Sequence, residues 1–297
     1  MNSNEHTFAS YDRFLRLRRR SPKTMVGYFD SLGQLARFHE DGDLLTLGRQ
    51  EVEDFLLDIT QERGLSQTTA LVRFRDLRAF YNWAVAEELI DASPMARIPT
   101  PQIVDEAPAI VPDEDIRSLL KAASGRTHDD RRDTAIIRLW CEAGSPRVAE
   151  MAGIQEPDLD MRRDRVTLHG KGGKTRTIPF GASTGQAIDR YLRERRKHRD
   201  ARRYSELWLG ARGKPLGPSG LYQMLVRRCR QAGIGRIHPH QLRHTAAHIW
   251  KMEGGSDSDA MELFGWSSAE MPRVYGRSAA NDRAQAIAQR KSIADRL

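Results

Sequence analysis

Four residue types near the end of the chain have the chemistry to act together on a phosphodiester. They stand in His238-Pro239-His240-Gln241-Leu242-Arg243-His244-Thr245, Leu263-Phe264-Gly265-Trp266 and Arg273-Val274-Tyr275-Gly276. His240 and Arg243 are three residues apart, so on a helix they share a face. Trp266 offers an indole N–H, and Tyr275, a phenol, follows nine residues later. A guanidinium presents fork-shaped donors at fixed charge to phosphate oxygens. A phenol with a pKa of about 10 becomes a nucleophile when cations surround it and a neighbour takes its proton.

Two further stretches could complete such a site. In Gly144-Ser145-Pro146-Arg147-Val148-Ala149-Glu150, Ser145 reads as an N-cap and Pro146 as the first helical residue, which sets Arg147 in the first turn. There it either meets an anion at the exposed amides or pairs with Glu150, three residues on. Gly170-Lys171-Gly172-Gly173-Lys174 reads as a hairpin tip that could carry Lys171 into a groove to deliver a proton. Gly173-Lys174-Thr175 imitates the end of a P-loop, but the required glycine five residues earlier is Leu168, which excludes that reading. His240, His244 and His248 stand at i, i+4 and i+8, yet Gln241 occupies the position of a zincin glutamate and no ligand set is completed. No metal or cofactor is expected.

The elements that must hold these residues are mainly helical. Apolar stripes predict helices around Tyr11, over the stretch following Ser21-Pro22, from Arg49 to Glu62, and from a Ser66 cap to about Leu89. They make a four-helix domain over residues 1–103. Lys23, Thr24, Arg73, Arg75 and Arg78 on its helices either meet DNA backbone or form a solvated face. Prolines 99, 101, 108 and 112 mark a semi-rigid linker at 104–112. The domain at 113–297 should begin with two helices and then form short strands at 158–160, 165–168 and 175–179. Ser183 should cap a helix ending in a solvated charge run, and Leu207-Trp208-Leu209 reads as a short strand. Helices over 221–231 and from Pro239 follow. Asp257 or Ser258 caps the next helix, Ser267-Ser268 caps a short one leading to Tyr275, and 279–297 forms a helical tail. Residues 1–112 carry 13 Lys and Arg against 17 Asp and Glu, and the remainder 35 against 23, so the net charge of +8 belongs to the C-terminal part. That points to a polyanionic partner. Two distant cysteines, Cys141 and Cys229, read as a buried reduced pair. No apolar leader or membrane span is visible, which suggests a cytoplasmic, nucleoid-associated protein.

Taken together, the motifs resemble the tyrosine recombinase (phage integrase) family over essentially the whole chain. Ser21-Pro22-Lys23-Thr24 looks like the opening of its core-binding domain and Arg147-Val148-Ala149-Glu150 like its first arginine box. Lys171 matches the hairpin lysine, His240-Gln241-Leu242-Arg243-His244 the His-x-x-Arg box, Gly265-Trp266 the usual Gly-His, and Tyr275 the nucleophile. The resemblance implies a SAM-like N-terminal domain and an α+β catalytic domain with a small antiparallel sheet. It implies a 3′-phosphotyrosyl intermediate on Tyr275, with Arg147, Arg243, His240, Trp266 and Lys171 catalytic and Glu150 supporting. Lys174, Arg176 and His244, beside these boxes, are assigned to DNA contact. The partner would be a specific site on double-stranded DNA, bound by a tetramer across two duplexes, with a monomer or dimer off DNA and a directionality factor as a further partner. The segment after Tyr275 would dock on a neighbouring protomer, and no arm-binding domain is expected ahead of residue 8. Two departures stand out: three steps from Gly144 to Arg147 where the family has two, and Pro272 three residues before Tyr275. They keep open an inactive DNA-binding regulator as an alternative; a type IB topoisomerase-like relaxer would share the chemistry.

Overall fold

A computed structural model describes residues 3–102, 109–198, 200–268, 270–290 and 294. The chain divides into two compact units, Met1–Asp105 and Glu106–Leu297.

The first unit contains α1 (Ser3–Leu17), α2 (Pro22–Phe38), α3 (Arg49–Leu57) and α4 (Gln67–Ala86). Ser21 and Ser66 cap α2 and α4 by accepting the Thr24 and Thr69 amides. The expected third helix changes to a π-helical turn over Asp58–Glu62, where the Arg63 amide reaches back to the Asp58 carbonyl. Tyr11 is the centre of an aromatic core, edge-on to Phe80 at 5.3 Å and against Trp83 at 4.8 Å. Arg73 departs from its assigned DNA contact. Its guanidinium is turned inward, donating to Ser31 Oγ at 2.9 Å and Asp30 Oδ2 at 2.6 Å, and so ties α4 to α2. Lys23, Thr24, Arg75 and Arg78 are exposed.

The second unit begins with α5 (Asp113–Ala122), α6 (His128–Trp140) and α7 (Val148–Gly153). Most of the expected linker lies outside the described residues. Its end does not behave as a tether: Val111 is buried and its amide donates to Thr245 Oγ1 at 2.9 Å. Strands β1 (Leu159–Asp160), β2 (Arg165–His169) and β3 (Thr175–Pro179) form an antiparallel sheet in sequence order. Val166 pairs with Ile178 and Leu168 with Arg176 on the inward face. Helices α8 (Ala182–Lys197), α9 (Pro218–Ala232), α10 (Pro239–Met252), α11 (Asp257–Phe264) and α12 (Glu270–Arg290) complete the unit. The fold is therefore mainly α, with one small three-stranded sheet. Among the described residues, no helix is long and apolar enough to cross a membrane.

Several local expectations give way to tertiary partners. Gly181, not Ser183, is the N-cap of α8, and Glu142 accepts from the Gly181 amide at 3.0 Å and from the Thr184 hydroxyl. Leu207–Leu209 is not a strand. Leu209 makes only an isolated antiparallel bridge to Pro215, and the Tyr191 phenol donates to the Leu207 carbonyl and accepts from the Leu209 amide. Within the supposedly solvated charge run, Arg195 is buried and donates to the carbonyls of Tyr204, Glu206 and Leu207. Ser256 caps α11. Cys141 and Cys229 are free thiols, and only Cys229 is fully buried. The tail beyond Arg290 lies outside the described residues apart from residue 294, and the short helix and the tail as far as Arg290 are one continuous helix, α12. Pro272 falls in its first turn, where the missing N–H would have had no helical partner. Its later residues lie on α10 of the same chain, through Arg283 to the Lys251 carbonyl at 2.7 Å and an Asp282–His248 pair at 3.6 Å.

A buried ionic cluster joins α6 to α9. Asp133, fully buried, accepts from Arg132 at 2.9 and 2.7 Å and from Arg228 at 2.8 Å. Removing one partner of a buried pair leaves uncompensated charge, so Asp133→Ala should cost about 3–5 kcal/mol in urea unfolding. A loss under about 1 kcal/mol would show that Arg132 and Arg228 do not depend on this carboxylate.

Candidate active site

The turn before α7 places the first arginine. Gly144 takes φ 83°, and a Cβ there would lie 2.6 Å from Ile178 Cγ2 and 2.7 Å from the Leu263 carbonyl oxygen, so only glycine fits. Ser145 is not the N-cap. Its hydroxyl turns back to the Trp140 carbonyl at 2.7 Å, and Arg147 itself caps α7. Glu150 takes the Arg147 amide at 2.8 Å and its Nη1 at 2.7 Å. The extra residue between Gly144 and Arg147 is thus absorbed ahead of the helix.

Glu150 is 4% exposed and also accepts from Arg176 Nη1 at 2.8 Å and Nη2 at 2.9 Å. Burial alone would raise its pKa. The hydrogen bonds and charges of Arg176 and Arg147 outweigh burial and bring it down to about 2. Arg176 continues to the Leu263 carbonyl at 2.8 Å and the Gly144 carbonyl at 3.2 Å. It was assigned to DNA contact; instead it is an interior brace between β3, α7 and the end of α11. The two-residue alternation of β3, which places Arg176 on the same inward face as Ile178, carried that signal.

Helix α10 supplies the second arginine. Arg243 is 1% exposed and donates to the carbonyls of Ser145 and Phe264. It lies over the rings of Phe264 at 5.2 Å and Trp266 at 6.0 Å, which stack on each other at 4.8 Å. His240 lies at the open end of α10, exposed on one side. Loss of solvation and the charges of Arg243 and Arg147 lower its pKa, so at neutral pH it is neutral and able to accept a proton. His244 is half-buried with its ring edge-on to His240 at 4.6 Å. Burial, His240 and Arg243 bring its pKa to about 4, so it offers no cation to DNA at neutral pH.

An open cleft of about 740 Å³ lies in front of this assembly, lined by Arg147, Glu150, His169, Lys174, Arg176 and Trp266 among others. Arg147, 44% exposed, reaches into it while its Nη2 donates to the Gly265 carbonyl at 3.0 Å. Lys174 is exposed at its rim. His169 was not singled out in the sequence; its ring pairs with Asp158 at 2.8 Å. The side chains of Lys171 and Tyr275 lie outside the described residues. Their backbones are placed on the β2–β3 turn, where Gly172 takes φ 75°, and on α12. The structure thus gathers Arg147, Glu150, Arg243, His240 and Trp266, while Lys23, Thr24, Arg75 and Arg78 belong to the other unit.

Residues 110–282 match the phage integrase family, and residues 8–91 match the phage integrase N-terminal SAM-like domain. The tyrosine recombinase XerC of Bacillus licheniformis is 31% identical over 262 residues, covering 86% of this chain and 86% of the relative. XerC of Corynebacterium glutamicum is 32% identical over 259 residues, covering 86% of this chain and 82% of the relative. Among solved structures, the Tn1549 transposon integrase in complex with transposon right end DNA has TM-score 0.77 at 19% identity, covering 96% of this chain and 99% of that one. A lambda integrase dimer bound to a core site has TM-score 0.74 at 18% identity, covering 91% and 76%. The two structures share the fold, and the sequence matches carry the family. The chain belongs to the phage integrase family and is a tyrosine recombinase.

Proposed function

We propose that this protein cuts and rejoins duplex DNA at a specific site through a 3′-phosphotyrosine formed on Tyr275. The observation that supports this most is one network: Arg147 and Arg243 hold the adjacent carbonyls of Gly265 and Phe264, His240 lies close enough to both for their charges to lower its pKa, and α12, which carries Tyr275, begins just beyond Trp266. Family membership and the DNA held by the two solved relatives point the same way.

In this reading the Tyr275 oxygen attacks the scissile phosphorus as the bond to the 5′-oxygen breaks. His240, neutral at pH 7, accepts the phenol proton. Lys171 protonates the departing 5′-oxygen. Arg147 and Arg243 stabilise the charge that develops on the non-bridging oxygens, and because their positions are fixed beforehand little reorganisation is needed. Trp266 packs beside Arg243 and supplies an indole N–H. Glu150 holds Arg147 in place and does not react. The phosphotyrosine conserves the bond energy, so the 5′-hydroxyl of a second strand can attack it and regenerate the phenol. Integration, excision and resolution all follow from that exchange when a tetramer aligns two duplexes, with a directionality factor choosing among them. The alternative of an inactive regulator loses one of its two supports, because Pro272 lies where a helix tolerates proline.

Tyr275→Phe should form no covalent adduct on a suicide DNA substrate while keeping specific binding in a mobility shift; an adduct that survives in this variant rules out Tyr275. Arg243→Lys should slow cleavage about 10²- to 10³-fold, since Lys lacks the fork, and a rate near wild type would remove Arg243 from the clamp. Glu150 titrates at about 2 in the folded chain against an ordinary 4.5, so it stabilises the fold fully above pH 4.5 and loses that contribution as pH falls to about 2. Glu150→Gln should therefore cost about 3 kcal/mol at pH 7 and almost nothing near pH 2. His244 loses its contribution higher, between pH 6.5 and about 4, and Asp129, held at about 2, loses its own over the same acid range as Glu150, so acid unfolding of the variant should be shallower below pH 4.5 by the Glu150 part alone. A Glu150→Gln protein with an unchanged unfolding profile below pH 4.5 would contradict this account.

A further inference from the structure

A second basic concavity lies outside the cleavage cleft and shares no lining residue with it. Helix α6 contributes Arg131, Thr134 and Arg138, and α8 contributes Ser183, Gln186 and Arg190. In each triple the residues stand at i, i+3 and i+7, so each set forms one stripe down a helix face. The space between the stripes is about 170 Å³.

The charges around this pocket are sorted unusually. On α6, Asp129, Asp130 and Asp133 pair with Arg132 and Arg228 and leave Arg131 and Arg138 aside. On α8, Asp189 pairs with Arg193, and Glu194 with Lys197, leaving Arg190 aside. Among the described residues, none of Arg131, Arg138 and Arg190 makes a salt bridge or a side-chain hydrogen bond. Arg131 and Arg138 are nonetheless half-buried. Glu194, paired with Lys197, lies close enough to Arg131 for that charge to help hold its carboxyl below the usual range, so Arg131 is partly balanced; the three like charges together still raise the local potential and favour an anion. Guanidinium forks match the oxygens of a phosphate group in charge and shape. The volume falls below the roughly 300–1,000 Å³ of sites that enclose whole small molecules, so the pocket suits one tetrahedral oxyanion.

We propose that the groove between α6 and α8 is a second anion site that takes one phosphate group, either a phosphodiester of bound DNA or free inorganic phosphate. The assignment does not depend on Tyr275 or on the cleavage mechanism. It is tested on the full chain by titrating inorganic phosphate against chloride at constant ionic strength and following the arginine Nε–H resonances by ¹⁵N NMR. The resonances that vanish in R131Q, R138Q and R190Q identify the three residues. In the wild type these three should move together along one saturation curve, and in the triple variant the binding curve at this site should be absent. If they stay still while only the Arg147 resonance moves, phosphate binds the cleavage cleft alone and the proposal is overturned. This readout needs only the wild-type fold once the resonances are assigned. A second arm uses duplex DNA. If the occupant is a DNA phosphate, the triple variant should lower the slope of log affinity against log salt by about 1. If phosphate binding is lost in the triple variant and that slope is unchanged, the occupant is free phosphate.

Discussion

Three consecutive carbonyls at the end of α11 are each held by a different arginine, and the catalytic unit's candidate site depends on that arrangement. The last carbonyls of a helix have no partner within it. Here those of Met261 and Glu262 are satisfied by the amides of Trp266 and Gly265 as the chain turns through Gly265 at φ 60°. Leu263 is taken by Arg176, Phe264 by Arg243 and Gly265 by Arg147. Positive charge at a helix C-terminus is favoured by the dipole, and a hydrogen bond to a charged donor contributes about 1.5–3 kcal/mol. The cost is the crowding of three cations, which the buried carboxylate of Glu150 offsets by pairing with Arg147 and Arg176.

This arrangement uses one residue type both as buried scaffold and on the wall of the cleft. Arg176 lies inside and closes the web. Arg243 is buried more deeply still, yet it stands on the helix that presents His240 and packs against the ring of Trp266. Arg147 is the exposed member, fixed at its base by Glu150 and Gly265 and open to the cleft along its edge. A guanidinium held on two sides cannot swing away when a phosphate leaves, and preorganisation of that kind is what stabilises a developing charge. Lysine in any of the three places would hold one carbonyl or carboxylate oxygen as a point charge, without the planar fork that spans two partners.

Local chemistry made much of this legible in the sequence. Ser21-Pro22 and Ser66 announced their helices, and the alternation of Val166, Leu168 and Ile178 gave the hairpin, because caps and periodicity are short-range signals. Arg147, His240 and Arg243 could be read as a set because spacing within and between the motifs limits their roles. The misread residues are mostly ones whose partners lie far away in the chain. Arg73, Arg176 and Arg195 each looked like surface charge, and each is committed to carbonyls or carboxylates on another element. Ser145 and Ser183 looked like caps, but Trp140 claims the one and Gly181 with Glu142 supplants the other. Tyr191 bridges the Leu207 carbonyl and the Leu209 amide, a long-range side-chain contact that no local pattern announces.

The continuity of α12 has a consequence for how the phenol is presented. A short helix followed by a separate tail would leave Tyr275 on a segment anchored only at its start. Instead the helix runs from Glu270 to Arg290 with Pro272 in its first turn. At one end it follows directly from the arginine-held turn at Leu263–Gly265. Further along, Asp282 and Arg283 fasten it to His248 and the Lys251 carbonyl on α10. That same α10 carries His240 and Arg243 two to three turns earlier. The backbone of Tyr275 therefore lies between the turn held by Arg147, Arg176 and Arg243 and the contacts with α10. Movement of α12 relative to α10 would have to break the Asp282 and Arg283 contacts. The position of the helix that carries Tyr275 is thus coupled to α10.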